Sequence, residues 1–354
     1  SNNFKIFKHD SSNPESLNNN IIYSLLEDRS GIIWIGTYLG GINILDPLQS
    51  RFPKYNDFSK LKGGNFSSND IRSVAVDNSG TVWLGTSNGL IEFKKSDTKH
   101  TSISGSNSKI HLKDTQIGAI VATHNGVIFS SSEGIQIKNN RNEIISFSPL
   151  IRQQTNENIA RFSAAVVDDL NQVWFATNRG VLKYIPSLNS FELYHPSKSL
   201  GKDIPFNPLA IKEDQTGKIW IGTFTGNLFS FDKYSNTFEI ILTPDIKDEL
   251  RGFSKIFSLC TFIPDEIWIG TNLGLYKFMP NTGKIERFLS SDGLSNNVVY
   301  SAIADNNENL WCSTNLGVSM LNNKTKKFHN YTFEDGLQSN EFNQGAAFRK
   351  KDGE

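Results

Sequence analysis

Six histidines and two cysteines are the side chains of this 354-residue chain best suited to metal, redox or nucleophilic chemistry. His9, His100, His111, His124, His195 and His329 are scattered, with no two at the separation that lets imidazoles share a metal. Cys260 and Cys312 each sit inside an apolar, strand-like run and read as buried free thiols. There is no Gly-x-Ser-x-Gly elbow and no Cys/His pairing that marks a nucleophile. Glycosidase carboxylates would have to converge from distant segments. The recurrent aspartates instead stand three residues before a glycine, in tight-turn chemistry. The reading is therefore no catalytic residue, no metal ligand and no cofactor.

Composition narrows the class further. Hydrophobic residues make up 37% and aromatics 11% of the chain, enough for a sizeable core. Thirty-six basic residues balance 36 acidic ones, so the long-range attraction used by nucleic-acid or anionic-membrane binders is missing overall. No apolar run reaches the ~18 residues of a membrane span, and no secretory leader opens the chain. Neither a nucleic-acid partner nor direct membrane insertion is expected.

What must position any site is a repeat. GIIWIGTYLGGINILD (31–46) returns as GTVWLGTSNGLIEFKK (80–95), NQVWFATNRGVLKYIP (171–186), GKIWIGTFTGNLFSFD (217–232), DEIWIGTNLGLYKFMP (265–280) and ENLWCSTNLGVSMLNN (308–323). A fainter copy, NGVIFSSSEGIQIKNN (125–140), carries Ile128 where tryptophan belongs. The anchors at 34, 83, 128, 174, 220, 268 and 311 are 43 to 49 residues apart, the period of propeller blades. Each copy parses as an apolar strand, an Asp-to-Gly hairpin turn, the anchor strand, a T-x-x-G turn, a third strand and, after a polar linker, a fourth. RFPKY (51–55), FELYH (191–195), TFEII (237–241), KIERFL (284–289) and KFHNYTF (327–333) are the fourth runs. No helix-length pattern is seen.

The fold expected is all-β: one seven-bladed β-propeller of four-stranded antiparallel blades over residues 1–354. A four-stranded blade buries little alone, so the anchor tryptophans are assigned to packing between blades. Each brings roughly 150 to 250 Å² of surface, an upper bound of about 4 to 6 kcal/mol. The ends raise a closure question. Residues 4–8, FKIFK, read as a fourth strand without its first three, closing this ring or belonging to a preceding one, and 334–354 as the start of a truncated further blade or an exit segment.

Because strand direction alternates, the T-x-x-G turns share one face with the linkers that lead into the first strands, and on that face the copies diverge. Candidate ligand-binding residues there are Tyr38, Asn88, Arg179, Phe224, Asn272 and Asn315 in the turns, and Tyr23, Arg72, Arg161, Lys255 and Tyr300 near the starts of first strands. Aromatic, Asn and basic side chains around a funnel suit a neutral or anionic polyol, which takes ring stacking and bidentate polar contacts.

NNIIYSLLEDRSGIIWIGTYLGGINILD (19–46) and SDGLSNNVVYSAIADNNENLWCSTNLGVSML (291–321) closely resemble the two-component regulator propeller repeat. The Trp-Asp pair of WD40 repeats and the double glycine of kelch repeats do not recur. The sialidase Asp-box places one residue, not two, between its Asp and Gly. The third copy departs from the pattern by lacking both Trp and the D-x-x-G turn, the sixth by reading IPDE there. The resemblance implies a periplasmic input module of a hybrid two-component histidine kinase, responding to an oligosaccharide and signalling to a membrane-bound kinase. It also implies a companion propeller and an immunoglobulin-like connector in the same full-length chain, and leaves room for a homodimer. This fragment is then not itself an enzyme. Two alternatives stay open: a scaffold propeller making ring-ring or dimer contacts, and a propeller lyase or glycosidase.

Overall fold

A computed structural model describes residues 6–11, 16–27, 33–45, 70–94, 108–112, 115–159, 162–201, 204–242 and 255–349. The chain divides into two compact units, Ser1–Pro53 with Glu334–Gly336, and Lys54–Phe333 with Leu337–Glu354.

The first unit carries a three-stranded antiparallel meander, Ile22–Glu27, Ile33–Thr37 and Gly41–Leu45. Its loop is tied by Asn18, whose backbone N–H donates to Asn43 Oδ1 (3.0 Å) and whose Oδ1 accepts from the Thr37 hydroxyl (2.6 Å). The expected fourth strand at 51–55 lies outside the described residues. Of the expected strand at 4–8, residues 6–8 are described and form none.

The second unit is a succession of six four-stranded antiparallel sheets, each with its strands in chain order. They are the second to seventh sheets of the chain, and their first strands are Ile71–Val76, Ile120–Thr123, Phe162–Val167, Pro208–Glu213, Ile256–Cys260 and Val299–Ala304. Each first strand packs beside that of the next sheet. The expected fourth strands near 191, 237, 284 and 327 are present as Ser190–Tyr194, Thr237–Leu242, Lys284–Phe288 and Phe328–Tyr331.

Packing between these sheets follows the anchors. Trp83 meets Val127 and Phe129 of the third sheet, Trp174 meets Phe229 and Phe231 of the fifth, Trp220 meets Phe278 of the sixth, and Trp268 meets Leu310 and Cys312 of the seventh. All four indoles are buried. Ile128 performs the same task against Val173 and Phe175. Trp34 and Trp311 do not follow the rule: Trp34 is 38% exposed, and Trp311 is half-buried, stacking instead on Tyr331 of its own sheet at 5.6 Å.

The glycine after the anchor strand's aliphatic residue is where the next sheet comes closest. A Cβ at Gly222 would overlap Cγ2 of Ile256, and one at Gly85 would lie 2.9 Å from Cγ2 of Ile117. The chain therefore needs a hydrogen there to close the gap between sheets.

Two short helices occupy linkers in which no helix is expected, α1 at Ser148–Thr155 and α2 at Pro196–Leu200. Both start with proline in the first turn, where its missing N–H costs nothing. Each is too short to display an amphipathic period. α1 buries a single apolar residue, Ile151.

Candidate functional site

The recurrent turn aspartates are structural, and the geometry shows why six residues separate them from tryptophan. Asp168 Oδ1 accepts the backbone N–H groups of Leu170 (3.0 Å) and Gln172 (2.8 Å), while its Oδ2 accepts the indole N–H of Trp174 at 2.8 Å. The same three-way arrangement holds Asp77 to Trp83 (2.9 Å), Asp214 to Trp220 (2.7 Å) and Asp305 to Trp311 (3.0 Å). Burial alone would raise the Asp77 carboxyl; hydrogen bonds from Ser79, Trp83 and Thr81 outweigh it and hold it below its ordinary range. In the sixth sheet, where the turn reads IPDE, Glu266 reaches the indole of Trp268 instead, at 2.8 Å. In the third, aspartate and tryptophan are lost together, and no indole donor is left to satisfy.

The T-x-x-G threonines are structural as well. Thr177 Oγ1 donates to the Gly180 carbonyl (2.9 Å) and accepts from the Arg179 N–H (3.0 Å), and the glycine adopts φ +137°, where a Cβ would strike the Tyr194 carbonyl.

A recurring irregularity shapes the other candidate face. In the first strands of the second, fourth, fifth, sixth and seventh sheets the register shifts around one residue: Arg72, Ser163, Leu209, Phe257 and Tyr300. Such a bulge re-aims a side chain, and all five of these residues line one cavity of about 1820 Å³ walled by the first strands of the six sheets. Tyr23 occupies the same bulge in the first unit, 5.5 Å edge-on from Tyr38.

The sequence-derived candidates separate into groups. Phe224, Lys255 and Asn272 come together: the Lys255 ammonium lies 4.3 Å over the Phe224 ring, and the Lys255 N–H donates to Asn272 Oδ1 at 2.6 Å. Arg72 and Tyr300 are on the cavity wall, Arg72 paired with Asp70 (3.1 Å) and Tyr300 5.4 Å from the Phe257 ring. Arg179 leans away to Glu157 at 3.5 Å, Asn88 is held in its turn by Thr86 (3.0 Å), and Asn315 is exposed in its turn; none of the three lines the cavity. Arg161 lies outside the described residues. Ser163, Leu209 and Phe257 escaped the sequence reading because a bulge has no strong signature of its own. Lys212 escaped it too, although a lysine inside the apolar run LAIKE was a visible departure. It lines the cavity.

One cluster has metal-ligand chemistry. Asp168, Asp169 and Glu213 bring carboxylate oxygens within 4.8 Å of one another. Lys233 already fills the space between them, bonded to Asp169 and to Glu213 (2.6 Å) and 3.7 Å from Asp168, with its side chain 2% exposed. Burial would lower the lysine's pKa, but these carboxylates raise it, and Lys233 holds Asp169 below its usual range. The cluster is an ion-paired seam between the fourth and fifth sheets.

Repeating antiparallel sheets, packed through tryptophan anchors and walling a cavity with their first strands, define a β-propeller repeat protein. Two of its repeats, residues 16–39 and 65–88, match the family model of the two component regulator propeller. Among solved structures, the chain is similar to the extracellular domain of the hybrid two component system BT3049 from B. thetaiotaomicron, with TM-score 0.67 and 22% identity over 98% of this chain and 45% of that one. It is similar to the extracellular domain of the hybrid system BT4673 of the same organism, with TM-score 0.57, 20% identity, and coverage of 90% and 39%. PorZ of Porphyromonas gingivalis, a surface component of the type-IX secretion system, matches with TM-score 0.52, 19% identity, and coverage of 84% and 46%. The chain spans less than half the length of these three structures. No curated protein matches it.

Proposed function

We propose that this chain is an extracytoplasmic ligand-recognition module of a hybrid two-component signalling system, periplasmic, with its seven sheets as blades of one ring. It binds an oligosaccharide on the face of the T-x-x-G turns and passes the event to a membrane-bound histidine kinase. The observation that carries the reading is the cluster of Phe224, Lys255 and Asn272, which offers a ring face, a cation and an amide within one contact zone. Sugars are bound by that combination. The partners on this reading are the oligosaccharide, a companion propeller and an immunoglobulin-like connector. Its similarity to extracellular domains of hybrid systems supports the setting, and among the described residues no helix is long and apolar enough to cross a membrane. A binding event biases the kinase by no more than the ligand's differential affinity for two arrangements of the receptor.

Calorimetric titration against a panel of plant, host and microbial oligosaccharides tests the reading. Saturable binding that Phe224→Ala weakens supports it; silence across the panel by folded protein overturns it.

One observation favours a second reading, a scaffold for ring-ring or dimer contacts. One face of the sheet of the first unit exposes Leu26, Trp34, Ile42 and Ile44 together. Apolar groups gathered in this way mark interaction surfaces.

A further inference from the structure

Lys212 breaks the pattern of the cavity wall. In each first strand of the second unit one residue stands opposite the anchor of the next strand. In the other five sheets these are Ala75, Val121, Val166, Cys260 and Ile303, all apolar or thiol; in the fifth the residue is Lys212, opposite Trp220. The substitution places an ammonium where the fold otherwise asks for an aliphatic group.

The charges around it are already satisfied. Arg72 is paired with Asp70, and Arg349 donates to the Ala304 carbonyl (2.8 Å) and Asn306 (2.6 Å). Asp77 is spent on its turn and on Trp83, and Asp168 on its turn, Trp174 and Lys233. Lys212 itself has no ion pair or hydrogen bond among the described residues, while its side chain is open to the water of the cavity. The protein around the cavity partly desolvates the ammonium and lowers its pKa. Among the described residues nothing on the cavity wall neutralises this cation, and a propeller has no packing need for one at this position, as its five counterparts show.

We propose that the cavity is an anion site in which Lys212 neutralises the carboxylate or sulfate group of an acidic saccharide. This rests on the oligosaccharide reading and narrows it to charged sugars. The ammonium supplies a point charge. Phe257 and Tyr300, side by side at the bulge level, supply ring faces for the uncharged part of the ligand. A cavity of about 1820 Å³ has room for a mono- or disaccharide together with bridging water.

The test uses the 354-residue chain with its lysines carrying ¹³C-dimethyl labels, titrated separately with sodium glucuronate, potassium sulfate and the neutral sugar glucose. Lys212→Arg identifies the Lys212 resonance. The expected result is a saturable shift of that resonance with glucuronate or sulfate and none with glucose. Glucuronate alone points to a sugar acid, and both anions to a general oxyanion site. Calorimetry then compares acidic oligosaccharides with their carboxyl-reduced counterparts. Lys212→Met is expected to lose about tenfold or more of the acidic affinity, to leave neutral binding unchanged, and to melt no lower than the parent; Lys212→Arg retains binding. A Lys212 resonance that shifts no more than those of surface lysines overturns the proposal. Neutral oligosaccharides binding equally well to the parent and Lys212→Met, with acidic ones ignored, would overturn it while sparing the sensor reading.

Discussion

The Trp174 indole donates to Asp168 at 2.8 Å across a tight turn, and that same indole packs on Phe231 of the next sheet with ring centroids 5.5 Å apart. One side chain therefore links the hairpin of its own sheet to the core of its neighbour. Losing the carboxylate strands a buried N–H. Losing the ring opens the seam.

The first prediction concerns this coupling in the fifth sheet. Asp214→Ala removes the acceptor of Trp220 and of two backbone N–H groups, and should destabilise the protein by about 1 to 3 kcal/mol. Trp220→Phe in the same background should cost less than it does alone, because no indole donor remains unsatisfied. Urea denaturation of the four proteins of the cycle measures the difference; additive effects would contradict the linkage.

Close approach at Gly222 yields a second expectation. Gly222→Ala places a methyl against Ile256 of the next sheet and should cost about 1 to 3 kcal/mol. Pairing it with Ile256→Ala, which clears the space, should destabilise less than the sum of the single changes. Thermal melts of the set decide.

Lys233 gives the largest expected loss. Lys233→Met leaves Asp168, Asp169 and Glu213 facing one another without a cation, a change expected to cost about 3 to 5 kcal/mol. With the ammonium gone, the three carboxylates form an oxygen-rich site of the kind that takes calcium. Millimolar calcium should raise the melting temperature of the variant and leave the parent unchanged.

His111 sets a pH dependence. Its buried imidazole accompanies Glu92 at 2.9 Å and Trp83 at 5.9 Å between ring centroids. Burial lowers its pKa, and Lys138 and Lys109 add to that, against the opposing pull of Glu92. A lowered pKa means that below 6.5 the unfolded chain binds a proton that the native state refuses. Stability should fall as pH drops from 6.5 toward the native value and level off below it. His111→Gln should flatten that segment of the melting-temperature profile; an unchanged slope would place the sensitivity elsewhere.

Much of the architecture was legible because its signals are local and repeated. The Trp anchors recur at a steady period, and the Asp turns and the T-x-x-G turns act through neighbours within six residues, so their meaning survives in the bare sequence. The partner of the Asp turns was half visible: backbone capping is local chemistry, but the bond from Asp214 to Trp220 forms only when the hairpin folds the two together. α1 and α2 were not legible, since helices of eight and five residues leave no period to detect. At the candidate site, turn residues such as Phe224 and Asn272 were legible by asking where copies diverge. Phe257 was not, because a bulge changes which side of the strand faces the cavity and no residue type announces it; Lys212 showed as a charge inside an apolar run, but its place on the cavity wall did not.

The bulge in the first strands has an evolutionary corollary. Positions 72, 163, 209, 257 and 300 already hold Arg, Ser, Leu, Phe and Tyr on the same backbone. None belongs to the buried clusters that keep the sheets together. Descendants of such a propeller are thus free to reline its cavity by rewriting a handful of codons, while the architecture that presents them is inherited unchanged.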